Sequence, residues 1–430
     1  MPVWDKLIEM YNAVYALCED GKVLSASVVK EGGTAASVCK ACFGNGFGFK
    51  FANELTNDEL FAPLSGSLVI ELADGAELSN DVLHYDLGTV TNDAKITVNG
   101  KEIELSALLE KWTAPLEKVF PTKAEVPEIE VDVPLYSERN TSSPAIKTAK
   151  PTVFIPVFPG TNCEVDTARA FEKAGAKVQL VLIRNKTEED IKKSVDELEE
   201  AIHNAQIMML PGGFSAGDEP EGSGKFIATV LRNPRLKAAI DDLLDNREGL
   251  MIGICNGFQA LVKLGLLPHG HIKDMSKDDP TLTFNTIGRH LSQMVTTRVS
   301  SVKSPWLANV ELGDEHIIPI SHGEGRFVAP KEVLDQLIDN GQVAFQYVDP
   351  NGNVTMESPY NPNGSMYGIE GIVSEDGRVL GKMGHSERQG ENRDLNIYGE
   401  MDQKLFEAGV KYFKGCLLYT SDAADDRISV

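Results

Sequence analysis

The sequence predicts an α/β protein whose larger part is a doubly wound, mostly parallel sheet. From residue 151 onward, short apolar segments alternate with longer helical segments, and this order is typical of right-handed strand–helix–strand crossovers. The N-terminal region has an α+β texture instead, and a proline-rich segment separates the two regions. We therefore expect an incomplete α+β domain at 1–120, a linker at 121–150 and the main domain at 151–414.

Apolar segments in the main domain indicate four strands, at 153–158, 177–183, 207–210 and 250–254. Helical segments are expected around them, at 164–174, 187–203 and 224–245. The later part, 283–383, is richer in strands and has a hairpin turn at Asp376-Gly377, and a final helix is expected at 401–413. Because such sheets bind ligands at the carboxyl ends of their strands, we look for functional residues there.

The smaller regions are less regular. In the first region we expect a strand or helix edge at 13–17, a helix at 35–41 and a strand at 66–72. The linker contains Pro121, Pro127, Pro134 and Pro144, which fix φ and remove backbone donors, so it is predicted to be extended. Residues 415–430 do not continue the last helical pattern and are expected to be a non-native tail.

Composition excludes several classes of protein. The 430 residues carry a formal net charge of -23, which argues against binding to duplex nucleic acid. Six cysteines in a chain of this length indicate reduced thiols in a cytoplasmic protein. The N-terminus has no signal-peptide pattern, and no apolar run reaches the length of a membrane span.

The strongest chemical signal is the segment GICNGFQ at 253–259. An apolar strand leads directly into Cys255 and a helix follows, which predicts a nucleophile elbow with cysteine in place of serine. The helix N-terminus favours a thiolate, and the N–H of Asn256 can face a developing oxyanion. An isolated cysteine at a strand end is ordinarily a small buried apolar residue, but the flanking glycines, strand and helix favour the nucleophile.

Two further segments complete a candidate catalytic set. GHSER at 384–388 supplies a base, His385, and an acid two residues later, Glu387, that can hold the imidazole tautomer. PGGF at 211–214 ends a strand in a glycine pair, where a backbone N–H can serve as the second oxyanion donor. Taken alone, each of these patterns also fits an ordinary loop or turn. Cys163 lacks an elbow and is expected to pack or to contact substrate.

These segments, in this order and spacing, resemble the class I glutamine amidotransferases, which have a flavodoxin-like sheet. VFPGTNCE at 157–164 and SHGEGRF at 321–327 resemble the glutaminase domain of the phosphoribosylformylglycinamidine synthase family in particular. The resemblance implies that Cys255 forms a γ-glutamyl thioester, with His385 as acid and base and Glu387 as its partner. It also implies two oxyanion donors, Gly213 and Asn256, and a set of glutamine-binding residues: Gly212, Phe214, Gln259, His322 and Gly323.

The same resemblance implies a larger reaction. Ammonia from glutamine would be used to convert formylglycinamide ribonucleotide to formylglycinamidine ribonucleotide in de novo purine biosynthesis. That step uses ATP and Mg²⁺, bound mostly by synthetase residues outside this chain, whereas the glutaminase step needs no cofactor and no metal in this chain. KEGGTAA at 30–36 and PLSGS at 63–67 resemble the end of the synthetase domain. The chain is therefore interpreted as a C-terminal fragment that works with its synthetase portion.

Two alternatives stay open at this point. The chain could be another α/β hydrolase with a cysteine elbow, although the His322 loop and the His385–Glu387 pair fit glutamine chemistry better. It could also be a catalytically silent fragment, because the synthetase portion could be needed to order the glutamine site. Release of ammonia from glutamine separates these readings.

Overall fold

The computed structural model describes residues 3–124, 133–217, 223–390 and 393–414. Part of the predicted linker and the whole predicted tail at 415–430 lie outside these residues. The chain divides into two compact units, Met1–Thr122 and Lys123–Val430. No helix in the described ranges is long and apolar enough to cross a membrane.

The first unit has an α+β composition. Its four helices are α1 (Trp4–Glu19), α2 (Gly33–Asn45), α3 (Asn57–Phe61) and α4 (Leu105–Glu117). Its six strands are β1 (Val23–Val28), β2 (Gly48–Phe51), β3 (Leu68–Leu72), β4 (Gly88–Thr91), β5 (Lys95–Val98) and β6 (Lys101–Glu104). β1 pairs with β3, and the other four form a sheet in the order β4-β2-β5-β6. A small apolar core lies between α2, α3 and this sheet, and includes Val38, Phe51, Leu60 and Ile96.

The second unit contains eleven strands in its described residues. They are β7 (Thr152–Val157), β8 (Lys177–Leu182), β9 (Ile207–Leu210), β10 (Leu250–Ile254), β11 (Thr281–Thr283), β12 (Leu291–Val299), β13 (Glu315–His322), β14 (Arg326–Val328), β15 (Val343–Tyr347), β16 (Ile369–Val373) and β17 (Val379–Lys382). The α-helices are α5 (Glu164–Lys173), α6 (Glu188–Asn204), α7 (Lys225–Leu231), α8 (Pro234–Asp241), α9 (Asn256–Leu264), α10 (Leu266–His269), α11 (Lys331–Asp339) and α12 (Leu405–Phe413).

Nine of these strands form one sheet, in the order β13-β12-β15-β16-β17-β10-β9-β7-β8. The five strands from β17 to β8 are parallel to one another, as expected, and their central members are buried on both faces. The four strands from β13 to β16 pair antiparallel. The expectation of a mostly parallel sheet is therefore corrected to a mixed sheet. The hairpin turn predicted between β16 and β17 is present, with φ of +79° at Gly377.

The long helix predicted at 224–245 is wrong, because the chain breaks it at Asn233. The Asn233 side chain accepts a hydrogen bond from the Arg235 N–H, and Pro234 occupies the first position of α8. A proline at this position begins a helix well but cannot continue one. The last turn of this region, Asp242–Asn246, is a π-helix.

Candidate active site

Cys255 lies at the carboxyl end of the central strand β10, at the first residue of a sharp turn into α9. Its backbone has φ of +53° and ψ of -108°, a conformation that a residue with a side chain rarely adopts. The Cys255 N–H donates to the carbonyl of Lys382 at 2.8 Å, and the Cys255 carbonyl accepts from Gln259 N–H at 3.0 Å. The neighbouring strand and the helix therefore hold the turn from both sides, which is the geometry predicted for a nucleophile elbow.

The flanking glycines let α9 approach the sheet. A Cβ at Gly253 would lie 2.6 Å from the carbonyl carbon of Gly257 and 2.7 Å from a methyl group of Leu261. A Cβ at Gly257 would lie 2.7 Å from the carbonyl carbon of Leu210 on β9. No side chain fits at either position without moving the helix, so these glycines are required by close packing rather than by backbone conformation.

His385 and Glu387 form a buried pair directly after β17, the strand beside β10. The His385 Nδ1 and the Glu387 Oε1 are 2.7 Å apart, and both side chains are almost fully excluded from solvent. Burial works against protonation of the imidazole, but the Glu387 carboxylate and Cys255 together raise the pKa of His385 well above its usual range. Burial likewise opposes ionisation of Glu387, but His385 lowers the pKa of this carboxyl. The pair therefore favours an imidazolium beside a carboxylate.

The other ring nitrogen of His385 makes no hydrogen bond among the described residues, and neither does the second carboxylate oxygen of Glu387. Buried polar atoms are normally paired, so an unpaired ring nitrogen at a candidate site is available to a neighbouring thiol or a ligand. Because Glu387 fixes Nδ1, the free Nε2 is the atom that can exchange a proton with Cys255 or with a substrate.

Cys163 and Arg388 join this cluster, which sequence reasoning did not foresee in full. The Cys163 sulfur is 3.8 Å from His385 Nδ1, and the Arg388 guanidinium donates to the same sulfur at 3.2 Å. Cys163 precedes α5 just after β7, so its position at the same sheet edge is the signal that could have placed it there. The sequence predicted only that Cys163 packs or contacts substrate, whereas the structure places its sulfur beside His385 and Arg388.

The glycine pair at the end of β9 forms one wall of the site. A Cβ at Gly212 would lie 2.8 Å from His385 Cε1 and 3.4 Å from Cys255 Cβ, so the nucleophile and the base meet across a glycine. Next to it, the Gly212 carbonyl accepts from Asn162 N–H and the Phe214 N–H donates to Gly160. These two hydrogen bonds do not involve the Gly213 N–H, which can therefore donate to a developing negative charge.

Asn256 and Gln259 lie on the first turn of α9 and are buried together. The Asn256 amide donates to Gln259 Oε1 at 2.9 Å, and its oxygen accepts from Ser215 N–H at 3.3 Å. The Gln259 amide donates in turn to the Glu324 carbonyl at 2.7 Å. These bonds tie the elbow to both neighbouring loops, while the Asn256 N–H, in the first turn of the helix, has no partner within α9.

The His322 loop closes the other side. The Cys255 sulfur is 3.7 Å from the Ser321 carbonyl, and His322 Nδ1 is 3.2 Å from Asn285 Oδ1. Burial, and then the nearby His385, lower the pKa of His322 to about 3, so this ring is neutral. The Gly323 carbonyl accepts from Asn285 N–H at 2.9 Å.

Phe214, another residue predicted to bind glutamine, lies at the solvent boundary of the site. Its side chain is partly exposed, and its ring centroid is 6.1 Å from that of His290. The structure therefore places all ten predicted site residues around one sheet edge, although in the described structure the Gln259 amide already bonds within the protein.

The side chains of Cys163, His385 and Glu387 offer ligand atoms within 4.8 Å of one another, the spacing of a metal site. Thiolate and imidazole suit Zn²⁺, whereas Mg²⁺ prefers oxygen ligands. The Arg388 guanidinium, however, already donates to the Cys163 sulfur and supplies a positive charge there. This positive charge opposes a cation at the cluster.

A thiol, a base and an orienting acid in one buried site are the parts of an enzyme with a cysteine nucleophile. Residues 150–413 match the family model described as the CobB/CobQ-like glutamine amidotransferase domain. The match covers more than half of the chain, so the chain belongs to this family and is a glutamine amidotransferase enzyme.

Two relatives with similar sequences point the same way. The chain is 34% identical over 284 residues to the phosphoribosylformylglycinamidine synthase subunit PurQ of Methanococcus maripaludis strain C7, which covers 63% of this chain and 97% of that one. It is 35% identical over 236 residues to the same subunit of Aquifex aeolicus, covering 55% of this chain and 90% of that one. Among solved structures, PurLQS from Thermotoga maritima matches with 30% identity and a TM-score of 0.44, covering 62% of this chain and 100% of that one.

Proposed function

We propose that the chain hydrolyses glutamine to glutamate and ammonia through a thioester on Cys255. The observation that carries this proposal is the elbow, where a strained backbone presents one cysteine at the sheet edge beside the His385–Glu387 pair. In this mechanism the Cys255 sulfur attacks the side-chain amide carbon of glutamine. The C–N bond then breaks, and the sulfur keeps the γ-glutamyl group.

The proton transfers follow from the orientation of His385. Its Nδ1 is held by Glu387, so Nε2 receives the thiol proton and delivers it to the departing nitrogen, which leaves as ammonia. Water then gives a proton to Nε2 while its oxygen attacks the thioester carbon. The C–S bond breaks, glutamate leaves, and Nε2 returns the proton to the sulfur. Glu387 stays ionised throughout and stabilises the imidazolium. No cofactor takes part in this half-reaction.

The negative charge on the amide oxygen would be met by two backbone donors. The Gly213 N–H takes no part in the hydrogen bonds that join Gly212 and Phe214 to the Gly160 turn. The Asn256 N–H belongs to the first residue of α9. Helix N-termini and free N–H groups stabilise such an oxyanion. Removing one donor in comparable sites slows turnover by about 10²- to 10³-fold.

Glutamine would bind between two walls of the site. The glycine pair with Phe214 forms one wall, and the His322-Gly323 loop forms the other. The Gln259 side chain would act indirectly, because it bonds to the Glu324 carbonyl and so holds this second loop. The unpaired Nε2 of His322 supports this placement, since it is a buried polar atom available to a ligand.

We further propose that the ammonia serves the ATP-dependent conversion of formylglycinamide ribonucleotide to formylglycinamidine ribonucleotide in purine biosynthesis. The relatives' shared name, a subunit of phosphoribosylformylglycinamidine synthase, supports this assignment. The partner would be the synthetase portion of the enzyme, of which residues 1–120 would be the C-terminal remnant. ATP and Mg²⁺ would be held mostly by that portion.

Glutamate and ammonia production by the purified chain tests the proposal, with and without the synthetase portion. We expect activity in the parent protein and none in Cys255→Ala, with Cys163→Ala as the matched control that removes the neighbouring thiol and keeps the nucleophile. Hydrolysis of a carboxylic ester or peptide with no effect on glutamine would favour another cysteine hydrolase. Activity that appears only when the synthetase portion is added would favour a fragment that is silent by itself, and absence of activity even with that portion would contradict the proposal.

A further inference from the structure

A fully buried ion pair lies behind the catalytic loop. Lys382, the last residue of β17, and Glu370, on the neighbouring strand β16, have side chains with no solvent exposure, and their charged atoms are 3.2 Å apart. The Lys382 ammonium also lies 5.4 Å from the centre of the Phe345 ring. Burial lowers the pKa of Lys382, which Glu370 partly offsets. A buried pair of this kind is weak evidence for stability, so its presence calls for another explanation.

The pair holds both backbone polar groups of one residue. The Gly384 N–H donates to Glu370 Oε1 at 2.5 Å, and the Gly384 carbonyl accepts from Lys382 Nζ at 2.8 Å. Gly384 immediately precedes His385, whose own N–H donates to the Pro319 carbonyl at 2.9 Å. Two sets of hydrogen bonds therefore hold the backbone that carries the base. The ion pair holds Gly384, and the Pro319 carbonyl holds His385.

The loop and the pair fit each other closely. A Cβ at Gly384 would lie closest to Ile318 Cδ1, and it would lie 2.9 Å from Glu370 Oε1 and 3.0 Å from Lys382 Nζ. A side chain there would meet Ile318 first and would also crowd both charges. The glycine therefore permits the short hydrogen bonds as well as the close packing against Ile318.

The same lysine also reaches the nucleophile. Its backbone carbonyl accepts the Cys255 N–H at 2.8 Å, and Lys382 pairs with Ile254 in the parallel register of β17 and β10. The side chain of Lys382 therefore holds the residue before the base, while its backbone holds the nucleophile. Displacement of this one residue would move Cys255 and His385 relative to each other.

We infer that Lys382 and Glu370 are positioning residues of the glutaminase: their buried pair sets the distance and angle between His385 and Cys255. This inference rests on the proposed function, because it concerns glutamine hydrolysis. The contacts from which it is argued do not depend on that function. Neither residue contacts the amide of glutamine in this account. Loss of the pair should lower kcat and leave KM nearly unchanged, because catalytic geometry changes while the glutamine-binding walls stay in place.

The test uses the double variant Lys382→Met/Glu370→Met, which leaves no unpaired buried charge but removes the partners of the Gly384 N–H and carbonyl. We expect a folded protein with a Tm below that of the parent, a kcat lower on the order of 10²-fold and a KM within about threefold, since misplacement by about 1 Å costs about that much. Lys273→Met is the matched control, because Lys273 pairs with Asp279 at the same 3.2 Å but away from the site. It should turn over at the parent rate.

A second variant covers the case in which the double variant does not fold. Glu370→Asp keeps both charges but withdraws the carboxylate from Gly384, and we expect kcat to fall about tenfold. Parent-like kcat in a folded double variant, or in Glu370→Asp, would overturn the inference. If the parent hydrolyses no glutamine even with the synthetase portion, the proposed function fails. In that case the low-field proton resonance of the His385–Glu387 hydrogen bond tests the inference by itself. The inference requires that this resonance shifts or disappears in the variants.

Discussion

Replacement of Gly212 by alanine tests the contact between nucleophile and base. The new Cβ would lie 2.8 Å from His385 Cε1, 3.1 Å from the Cys163 sulfur and 3.4 Å from Cys255 Cβ. Carbon atoms pack at about 3.5–4.0 Å, so the imidazole must move by about 0.7 Å or more. Because misplacement by about 1 Å costs about 10²-fold in rate, we expect kcat to fall by on the order of tenfold to 10²-fold.

The assay is steady-state glutamine hydrolysis, with KM measured alongside kcat. Gly212 has no left-handed φ, so alanine does not strain the backbone, and any loss comes from the contacts with His385, the Cys163 sulfur and Cys255. Gly390→Ala is the control, because its nearest neighbour would lie 3.6 Å away at Arg393 Cδ. A Gly212→Ala protein that is folded and retains kcat within about twofold of the parent would refute the reasoning.

Three further predictions follow from the same geometry. Glu387→Gln removes the charge that raises the pKa of His385, so the basic limb of the pH profile of kcat/KM should move to lower pH, with kcat reduced by about 10⁴-fold; an unchanged profile would contradict the pairing. His322 has a folded pKa of about 3 against about 6.5 unfolded, so the unfolded state takes up a proton first as pH falls. As the pH falls from 7 to 5, this proton uptake should lower the free energy of unfolding by about 2 kcal/mol. Urea titrations of His322→Gln should show a decrease that is smaller by this amount. Gly257→Ala forces α9 away from Leu210 and should lower the unfolding free energy by about 1–3 kcal/mol, measured by urea titration, while slowing alkylation of Cys255; parent-like values of both would show that the helix tolerates the shift.

Local patterns were sufficient to predict the centre of this site. The apolar run of β10, the cysteine and the following helix are contiguous, so the elbow could be predicted from a single segment. His385 and Glu387 are two residues apart, and their 2.7 Å contact needs only a short loop. Four strand positions, including β9 and β10 to the residue, follow from apolar runs bounded by polar segments.

Other parts of the site depend on pairings that no local pattern specifies. Lys382 meets Glu370 because β16 and β17 lie side by side in an antiparallel pair, and the sequence shows only a lysine at the end of an apolar strand. Cys163 meets His385 across more than 200 residues of chain. Apart from the hairpin predicted at Asp376-Gly377, the antiparallel pairings were not predicted for the same reason, since the pattern along β12 and β13 indicates strands but not their partners.

Labelling with a glutamine-analogue electrophile that alkylates thiols, read by peptide mass spectrometry, tests the central claim most directly. The described residues contain a second buried thiol, Cys163, close to the same histidine, so the site of the adduct discriminates between them. We expect an adduct on Cys255 alone, blocked by free glutamine. An adduct on Cys163 in place of Cys255, or labelling of Cys255 that glutamine does not slow, would contradict it.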